Sequence, residues 1–325
     1  SKRSALVAGD SRACCGGQYK KLKYQAGLRL EYSIQAPNLI SKNQNFKNEY
    51  FNFFPSATVR YEIAKATELS LGYSRRINRP NSGNLNPFTS YADPYNLRSG
   101  NPALRPEYIH SIDLGIDYNT KKFNLAFALY QRYTSNVIQR VKIFYENGTS
   151  NGTFANIDKS VSSGGEIVLQ LKPYPIWRNM LSLNGNYITY TDDNPSANWN
   201  REGFVFGMKF SSTVDLLKKT LTLQINGRYS APSVTAQGLM KPRGSIDFSA
   251  DKSLWDGKWG IGLRVTDIFN TQGFYFEVNQ PTVAQSVQFK WETRRIIVSI
   301  RYRFGKTDFK EDKRSNDNGG GGFDF

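Results

Sequence analysis

The sequence has little cysteine and histidine. Its 325 residues include two cysteines, Cys14 and Cys15, and one histidine, His110. Because the cysteines are adjacent, a disulfide between them would be strained, and the chain has no disulfide framework. A lipoprotein cleavage signal at this pair is disfavoured, since Asp10 and Arg12 interrupt the apolar stretch that it needs. No cysteine or histidine cluster supports zinc and no EF-hand spacing supports calcium, so we expect no metal and no cofactor.

Long apolar runs are also missing. The mean hydropathy is −0.54, and no apolar run approaches the roughly eighteen residues of a membrane-spanning helix. Aromatic residues are plentiful, at 14% of the chain with 19 Tyr and 21 Phe. A transmembrane β-barrel accommodates both facts, because only alternate residues meet lipid and Tyr forms the interfacial girdles. A soluble β-sandwich array has a similar composition, so the strand pattern must decide.

Acidic residues are fewer than basic ones, 27 against 43, which leaves a net charge of +16. The basic residues are dispersed and no nucleic-acid-binding module is recognisable, so we expect no nucleic-acid partner. Phosphates of outer-membrane lipid and lipopolysaccharide, or anionic solutes in a lumen, are better partners. A generally solvated basic surface remains an equal alternative.

Residues 294–304 show the alternation of a β-strand most clearly. One face carries Ile296, Val298, Ile300, Tyr302 and Phe304, and the other carries Ile297, Ser299, Arg301 and Arg303. Eleven residues span about 36 Å, or about 26 Å of height at a tilt of about 45°, which matches the apolar band of an outer-membrane barrel. We interpret the stretch as a closing strand, with Tyr302 and Phe304 as a C-terminal signal for the barrel-assembly machinery.

The same pattern predicts an all-β fold, an antiparallel transmembrane β-barrel with about 12 strands present. The predicted strands are 22–32, 57–63, 69–73, 112–118, 123–129, 167–171, 181–187, 204–210, 221–229, 246–250, 261–265 and 294–304. An even number is typical of single-chain bacterial barrels. Residues 1–21 stay unassigned, residues 22–304 form the strands and extracellular loops, and residues 305–325 are a Gly-rich periplasmic tail expected to be disordered.

The connections alternate in length. Short turns are predicted at 64–67, 119–122, 172–178, 216–219 and 254–258, and long loops at 35–50, 79–106, 145–153, 190–202, 231–243 and 270–293. With the C-terminus periplasmic, every long loop is extracellular, as in outer-membrane barrels. In the last loop, residues 274–278 and 287–291 are expected to extend the two flanking strands as a hairpin above the membrane.

Two segments carry a resemblance to a known protein family: Ser74–Pro80 (SRRINRP) and Asn96–Glu107 (NLRSGNPALRPE). Together with residues 25–32 and 299–305, they resemble TonB-dependent outer-membrane receptors, in particular the outer-membrane β-barrel family. The resemblance covers roughly residues 22–325 and implies uptake of a nutrient such as a siderophore, glycan or peptide. It also implies a barrel of about twenty-two strands with a plug, energised by the TonB protein.

Against that family this chain shows twelve strands, no plug and no signal peptide. The resemblance therefore implies a C-terminal part of the barrel, with the plug and N-terminal strands missing. An open sheet edge in lipid leaves unpaired backbone groups at several kcal/mol each, so the strands must close by themselves or be completed by others. The sequence leaves that choice open, and the resemblance favours completion.

Two alternatives belong to other classes. One is a self-contained 12-stranded pore or enzyme. The enzyme would need His110 as a catalytic base beside a serine nucleophile, but alternation with Ile112 and Leu114 places His110 on the lipid side, beside Tyr108. We therefore expect no enzyme. A soluble adhesin or lectin is the third class.

The paired carboxylates on single strands, Asp113 with Asp117 and Asp247 with Asp251, are about 13 Å apart, too far for a glycosidase.

The candidate functional residues fall into two groups. The first is an inward basic set that would line a path for an anionic ligand or face plug carboxylates: Arg29, Arg60, Arg76, Arg132, Arg228, Arg264, Arg301 and Arg303. The second lies in loop 79–106, where exposed aromatics and amides suit sugars or chelates: Asn86, Phe88, Tyr91, Tyr95 and Arg98.

Overall fold

A computed structural model describes residues 4–39, 44–45, 48–91, 93–193, 199–235, 237–280 and 283–304. The predicted tail 305–325 and parts of the predicted loops lie outside the described residues. No helix in the described ranges is long and apolar enough to cross a membrane. The strands are β1 (Ser4–Tyr19), β2 (Leu22–Leu39), β3 (Gln44–Asn45), β4 (Asn48–Ala64), β5 (Thr67–Asn78), β6 (Asn96–Arg98), β7 (Glu107–Asn119), β8 (Phe123–Phe144), β9 (Ser150–Tyr174), β10 (Trp177–Thr191), β11 (Arg201–Leu216), β12 (Leu221–Ser230), β13 (Ser233–Thr235), β14 (Gly238–Met240), β15 (Arg243–Leu254), β16 (Trp259–Thr266), β17 (Phe274–Gln280), β18 (Val283–Phe289) and β19 (Arg295–Tyr302).

One large antiparallel sheet dominates the fold. Thirteen strands follow one another in the order β1-β2-β4-β5-β7-β8-β9-β10-β11-β12-β15-β16-β19, with β3 and β6 attached beside this path. All twelve predicted strands are present, and most extend further than the sequence pattern indicated. The outer strands of the order, β1 and β19, do not pair with each other within the described ranges.

The thirteenth strand is β1, in the stretch that the sequence pattern left unassigned. It pairs with β2 over its whole length, from Ser4 opposite Pro37 to Tyr19 opposite Leu22. Lys20, with φ at 52°, makes the tight turn between them. The expected count of twelve is therefore wrong for this sheet. Small residues blur the alternation of β1, and pairing with a long neighbour decides its conformation instead.

Directly paired residues form rows across the sheet and define two faces. In one row Leu71 pairs with Leu114, which pairs with Leu129. One residue along the strands, in a row on the opposite side of the sheet, Ser70 pairs with Gly115. We call the first side the apolar face and the second the polar face. The exposed fraction of the Leu71 side chain is 52%, so the apolar face lacks a covering layer in this chain and is suited to lipid.

The two ends of the sheet differ as predicted. One end has short turns, such as residues 120–122 between β7 and β8. At the other end β8 and β9 run on for 22 and 25 residues. Twenty-five residues at about 3.3 Å each, tilted by about 45°, rise roughly 58 Å, about twice the apolar band. The β8–β9 hairpin is therefore long enough to project well beyond a membrane on the side of the long connections.

A second sheet forms among the long connections, in the order β13-β14-β17-β18. The predicted hairpin in 270–293 exists as β17 and β18, but it belongs to this sheet and does not extend β16 and β19. The chain leaves the main sheet after Thr266, where Asp267 and Asn270 adopt φ values of 45° and 53°. These left-handed residues turn the backbone away from the strand direction.

The long connections converge above the sheet. Lys142 Nζ on β8, the sixth strand of the path, lies 2.7 Å from Gln285 Oε1 on β18. β18 lies between the twelfth and the thirteenth strand in the chain. The twelfth strand is six strand spacings from the sixth, which on a flat sheet amount to about 29 Å. Connections from distant parts of the sheet therefore meet at this end. A small core of Val137, Ile157 and Tyr190 lies in the same region.

Candidate functional site

The predicted basic set lies on the polar face. Arg60 pairs with Ser70, Arg228 with Ser245 and Arg264 with Ser249 across neighbouring strands. Arg303 follows the last residue of β19, and the pairing registers put the seven other members on that side: Arg29, Arg60, Arg76, Arg132, Arg228, Arg264 and Arg301. These arginines therefore place positive charges at intervals along the polar face. Whether they meet a ligand stays a prediction.

Part of this positive charge is neutralised inside the chain. Glu68 lies 3.6 Å from Arg60 and 3.3 Å from Lys23. Glu31 lies 3.7 Å from Arg29 and also accepts a hydrogen bond from Arg79, which the sequence pattern had not singled out. These pairs hold the side chains in place, so they are the least available to a ligand.

Other arginines of the predicted basic set form no ion pair with a described carboxylate. Arg132 lies over the ring of Tyr130, 4.2 Å from its centroid, and Arg228 Nε donates to Ser245 Oγ at 2.7 Å. No ion pair joins Arg76, Arg264 or Arg301 to another described residue. A cavity of about 150 Å³ opens at the short-turn end, and the cations around it are Lys219, Lys252, Arg301 and Arg303.

Loop 79–106 is anchored on the β8–β9 hairpin. Asn101 Nδ2 donates to the Phe154 carbonyl at 3.0 Å, and Leu104 is 1% exposed. A Cβ on Gly100 would lie 2.4 Å from the Asn84 carbonyl oxygen, so only glycine fits there. The NPALRPE part of the segment Asn96–Glu107 therefore holds the loop against the β8–β9 hairpin.

Glu107 ends that segment with a buried carboxylate. It accepts hydrogen bonds from Asn78 Nδ2 and from the Ile138 N–H, each at 2.6 Å. It therefore joins β5, β7 and the upper part of β8. The residues of the segment Asn96–Glu107 therefore have a structural role, because they set the position of loop 79–106.

The residues of loop 79–106 that were predicted to contact a ligand differ in how available they are. Asn86 is used internally, because its backbone N–H donates to the Gly83 carbonyl and its carbonyl accepts from Gly100. Phe88, Tyr91 and Tyr95 have 48%, 75% and 67% of their side chains exposed. These three aromatic rings are free for contact with a solute.

Arg98, the fifth predicted loop residue, belongs to a cluster of cations. On β6 it pairs with Gly152 of β9, and Gly152 pairs with Lys142 of β8. A Cβ on Gly152 would lie 3.6 Å from the Arg140 guanidinium. We call Arg98, Arg140 and Lys142 the rim cluster. No hydrogen bond or ion pair joins either guanidinium to another side chain in the described part of the chain.

The surroundings of the rim cluster lower the pKa of two of its cations. Burial lowers the pKa of Arg140, and the nearby charge of Arg98 lowers it further. Burial also lowers the pKa of Lys142, while Asp93 opposes that effect. The hydrogen bond from Asn96 holds the pKa of the Asp93 carboxyl below its ordinary value. An incoming anion would relieve the repulsion between cations.

Lys142 also ties the rim cluster to the second sheet. Its Nζ donates to Asn96 Oδ1 and to Gln285 Oε1, each at 2.7 Å. Its backbone N–H donates to Gln237 Oε1, and Gln237 Nε2 donates back to its carbonyl at 3.0 Å. Sequence reasoning missed Lys142 and Arg140. The alternation of Arg140, Lys142 and Phe144 beyond the predicted end of the strand was the available signal.

His110 lies on the apolar face, as predicted, in a row between Arg75 and Tyr133. Its Nδ1 lies 2.9 Å from the Tyr73 hydroxyl. In the described residues no group of three or more His, Cys, Asp or Glu side chains is placed to hold a metal.

Aromatic side chains gather at the short-turn end of the last strands. The Tyr302 ring centroid lies 4.6 Å from those of Trp259 and Phe304. Phe304 is 84% exposed. This arrangement is that of an interfacial girdle, and the role of Tyr302 and Phe304 as an assembly signal stays a prediction.

The comparison with known families decides the identity of this fold. Residues 14–302 match the outer membrane protein beta-barrel family. The chain belongs to this family. Its location is therefore the cell outer membrane. Among curated proteins no match was found.

Solved structures share the fold of this family member at low sequence identity. The copper transporter OprC is 13% identical with a TM-score of 0.64, covering 91% of this chain and 47% of that one. The FrpB iron transporter from Neisseria meningitidis (F3-3 variant) is 12% identical with a TM-score of 0.63, covering 93% and 45%. The ferric yersiniabactin uptake receptor FyuA from Yersinia pestis is 13% identical with a TM-score of 0.63, covering 94% and 46%. The chain spans a little less than half the length of these proteins.

Proposed function

We propose that this chain is part of a TonB-dependent outer-membrane receptor that takes up a scarce nutrient such as a siderophore, glycan or peptide. The observation that carries the proposal is the convergence of the long connections around Lys142, with Arg98 and Arg140 beside it. A passive pore gains nothing from bonds that join its outer loops over a distance of several strands. A receptor needs such a built surface to recognise a solute.

The rim cluster favours an anionic nutrient. Two guanidiniums and one ammonium lie around Gly152, and the exposed rings of Tyr91 and Tyr95 lie on the neighbouring loop. Guanidiniums bind carboxylates and phosphates in a fork geometry, and aromatic rings pack on planar or sugar surfaces. An acidic siderophore chelate, an acidic glycan or an acidic peptide fits this chemistry.

The remaining parts of the receptor follow from the sheet. Its edges, β1 and β19, need partners in lipid, so further strands and a plug would complete a barrel of about twenty-two strands. Arg76, Arg264 and Arg301 would face that plug. Energy would reach it from the inner membrane through the TonB protein, and no step calls for catalysis, because His110 lies on the lipid side.

The test is energised uptake by cells that produce the full-length gene product. The probes are radiolabelled ferric siderophores, an acidic oligosaccharide and an acidic peptide. We expect uptake of one probe to stop in a strain without TonB. The double variant Arg98→Gln, Arg140→Gln should lower that uptake about tenfold, because charge-assisted hydrogen bonds are lost.

The matched control is Lys121→Gln, Lys122→Gln, two exposed cations in the short turn at the opposite end of β8. It removes the same charge and should leave uptake unchanged. Uptake that persists without TonB would contradict a TonB-dependent receptor. Equal loss in both double variants would contradict a role for the rim cluster.

A further inference from the structure

Two basic residues lie on the face that meets lipid. Arg75 of β5 pairs with His110 of β7, which pairs with Tyr133 of β8. These residues belong to the same face as Leu71 and Leu114, which pair two rows away. An arginine among lipid-facing side chains is costly unless it reaches an interface or an anion.

The height of Arg75 places it near the outer interface. It lies eight residues after Thr67, where β5 begins at a short turn. Eight residues rise about 26 Å along the strand, or about 19 Å of height at a tilt of about 45°, within an apolar band of about 25 Å. Tyr73, Tyr108 and Tyr133 surround this level, as in the aromatic girdle at a membrane interface.

The Arg75 guanidinium is held in a fixed plane and keeps unused donors. Its Nη1 donates to the Phe53 carbonyl at 3.1 Å. Its central carbon lies 4.6 Å from the Phe53 ring centroid and 5.2 Å from that of Tyr108. Its Nε is buried and lacks a hydrogen-bond partner among the described residues. Guanidinium offers five N–H donors, and among the described residues only one of them, on Nη1, has a hydrogen-bond partner.

His110 adds a donor beside it. Its Nδ1 lies 2.9 Å from the Tyr73 hydroxyl. In the tautomer in which that hydroxyl donates to Nδ1, the ring proton is on Nε2. Nε2–H is then free to donate. Lys159 lies on the same face one row further out, opposite Ser135. This face therefore presents two cations and an imidazole donor at the level of lipid headgroups.

We propose that Arg75 and His110 bind the phosphate of an anionic outer-leaflet lipid, with Lys159 as a second cation. The acyl chains of that lipid lie on the rows below, against Leu71, Ile112 and Leu129. A lipid is the occupant because the donors and the apolar surface share one face, which a free anion would use only in part. The proposal rests on the outer-membrane location and is independent of nutrient uptake.

The test is native mass spectrometry of the full-length gene product, extracted from outer membranes in a mild nonionic detergent. The probe is bisphosphorylated lipid A, compared with the same lipid without its phosphates. We expect the phosphorylated lipid to stay bound to the wild type. Arg75→Gln should weaken binding about tenfold, because a bidentate charge-assisted contact is lost.

The control is Arg76→Gln, one residue along the strand and on the polar face, which should bind the lipid like the wild type. Heat-modifiable mobility on gels shows which variants fold. If Arg75→Gln does not fold, Arg75→Lys and His110→Phe provide the same comparison, with weaker binding expected in both. Equal binding by the Arg75 variants and the wild type would overturn the proposal. Equal binding of the dephosphorylated lipid, or displacement by equimolar inorganic phosphate, would also overturn it.

Discussion

Single buried polar residues decide where the chain leaves the main sheet. Asp267 is 1% exposed at the end of β16. Its carboxylate accepts from the N–H groups of Thr271 and Gln272, each at 3.0 Å, and from the Thr293 hydroxyl. One side chain thus closes the turn that directs β17 into the second sheet. Burial raises the pKa of Asp267, but these hydrogen bonds, led by that of Thr293, lower it more, so the pKa lies below its ordinary value.

We predict that Asp267→Asn lowers the free energy of unfolding by about 1–3 kcal/mol near neutral pH, because an amide cannot accept all of these bonds. The folded-state pKa lies below the unfolded value of 3.8. The carboxylate therefore stabilises the protein above pH 3.8 and stops doing so as pH falls through the folded-state pKa. The gap between variant and wild type should narrow in acid.

The measurement is the denaturant midpoint of the full-length gene product in lipid vesicles, near neutral pH and in acid. Asp256→Asn is the control, since Asp256 is exposed in a short turn and asparagine tolerates its φ of 51°. Equal midpoints for Asp267→Asn and wild type near neutral pH would show that the turn does not depend on the carboxylate.

In each strand of the main sheet, neighbouring residues lie on opposite faces, one apolar and one polar. Leu263 pairs with Val298 on the apolar face, whereas Arg264 pairs with Ser249 on the polar face. Such alternation is a local property of extended backbone, because successive side chains point to opposite sides. A β-strand in a membrane therefore tolerates a charge at one position and rejects it at the next.

We predict that Leu263→Arg prevents assembly and that Arg264→Leu does not. A charge against lipid costs about 2–4 kcal/mol at the midplane, while a lumen position tolerates change. The measurement is the fraction of protein with heat-modifiable mobility in outer membranes. The two substitutions control for each other, since they exchange the same two side chains on adjacent residues. Equal folding yields would show that the faces are assigned wrongly.

The whole sheet has an odd number of strands along its path and two edges. β1 and β19 lie at its ends and are not paired with each other in the described residues. The side chains of β19 are exposed throughout, with Ile296 at 72% and Ile300 at 69%. Edges of this kind cannot remain open in hydrocarbon, where an unpaired backbone group costs several kcal/mol.

We predict that residues 1–325 produced alone do not form a folded monomer in detergent, whereas the full-length gene product does, because only the latter supplies partners for both edges. Heat-modifiable mobility and sedimentation provide the measurement. Cys15, on the apolar side of β1, offers a direct check. A cysteine replacing Val298 or Ile300 on β19 would form a disulfide with Cys15 only if the chain closed on itself. A monomer with that disulfide would favour the self-contained barrel.

Twelve strands and the two faces of each were predictable from the sequence, because alternation is a property of neighbouring residues. The positions of the polar-face arginines and of His110 followed from it without any knowledge of pairing. The features that depend on distant partners became visible in the three-dimensional structure alone. These are the pairing of β1 with β2, the separate sheet that contains β17, the rim cluster around Lys142, and the contacts of Arg75 with Phe53 and Tyr108. Each of them joins segments that lie apart in the chain, and local periodicity has no information about such pairings.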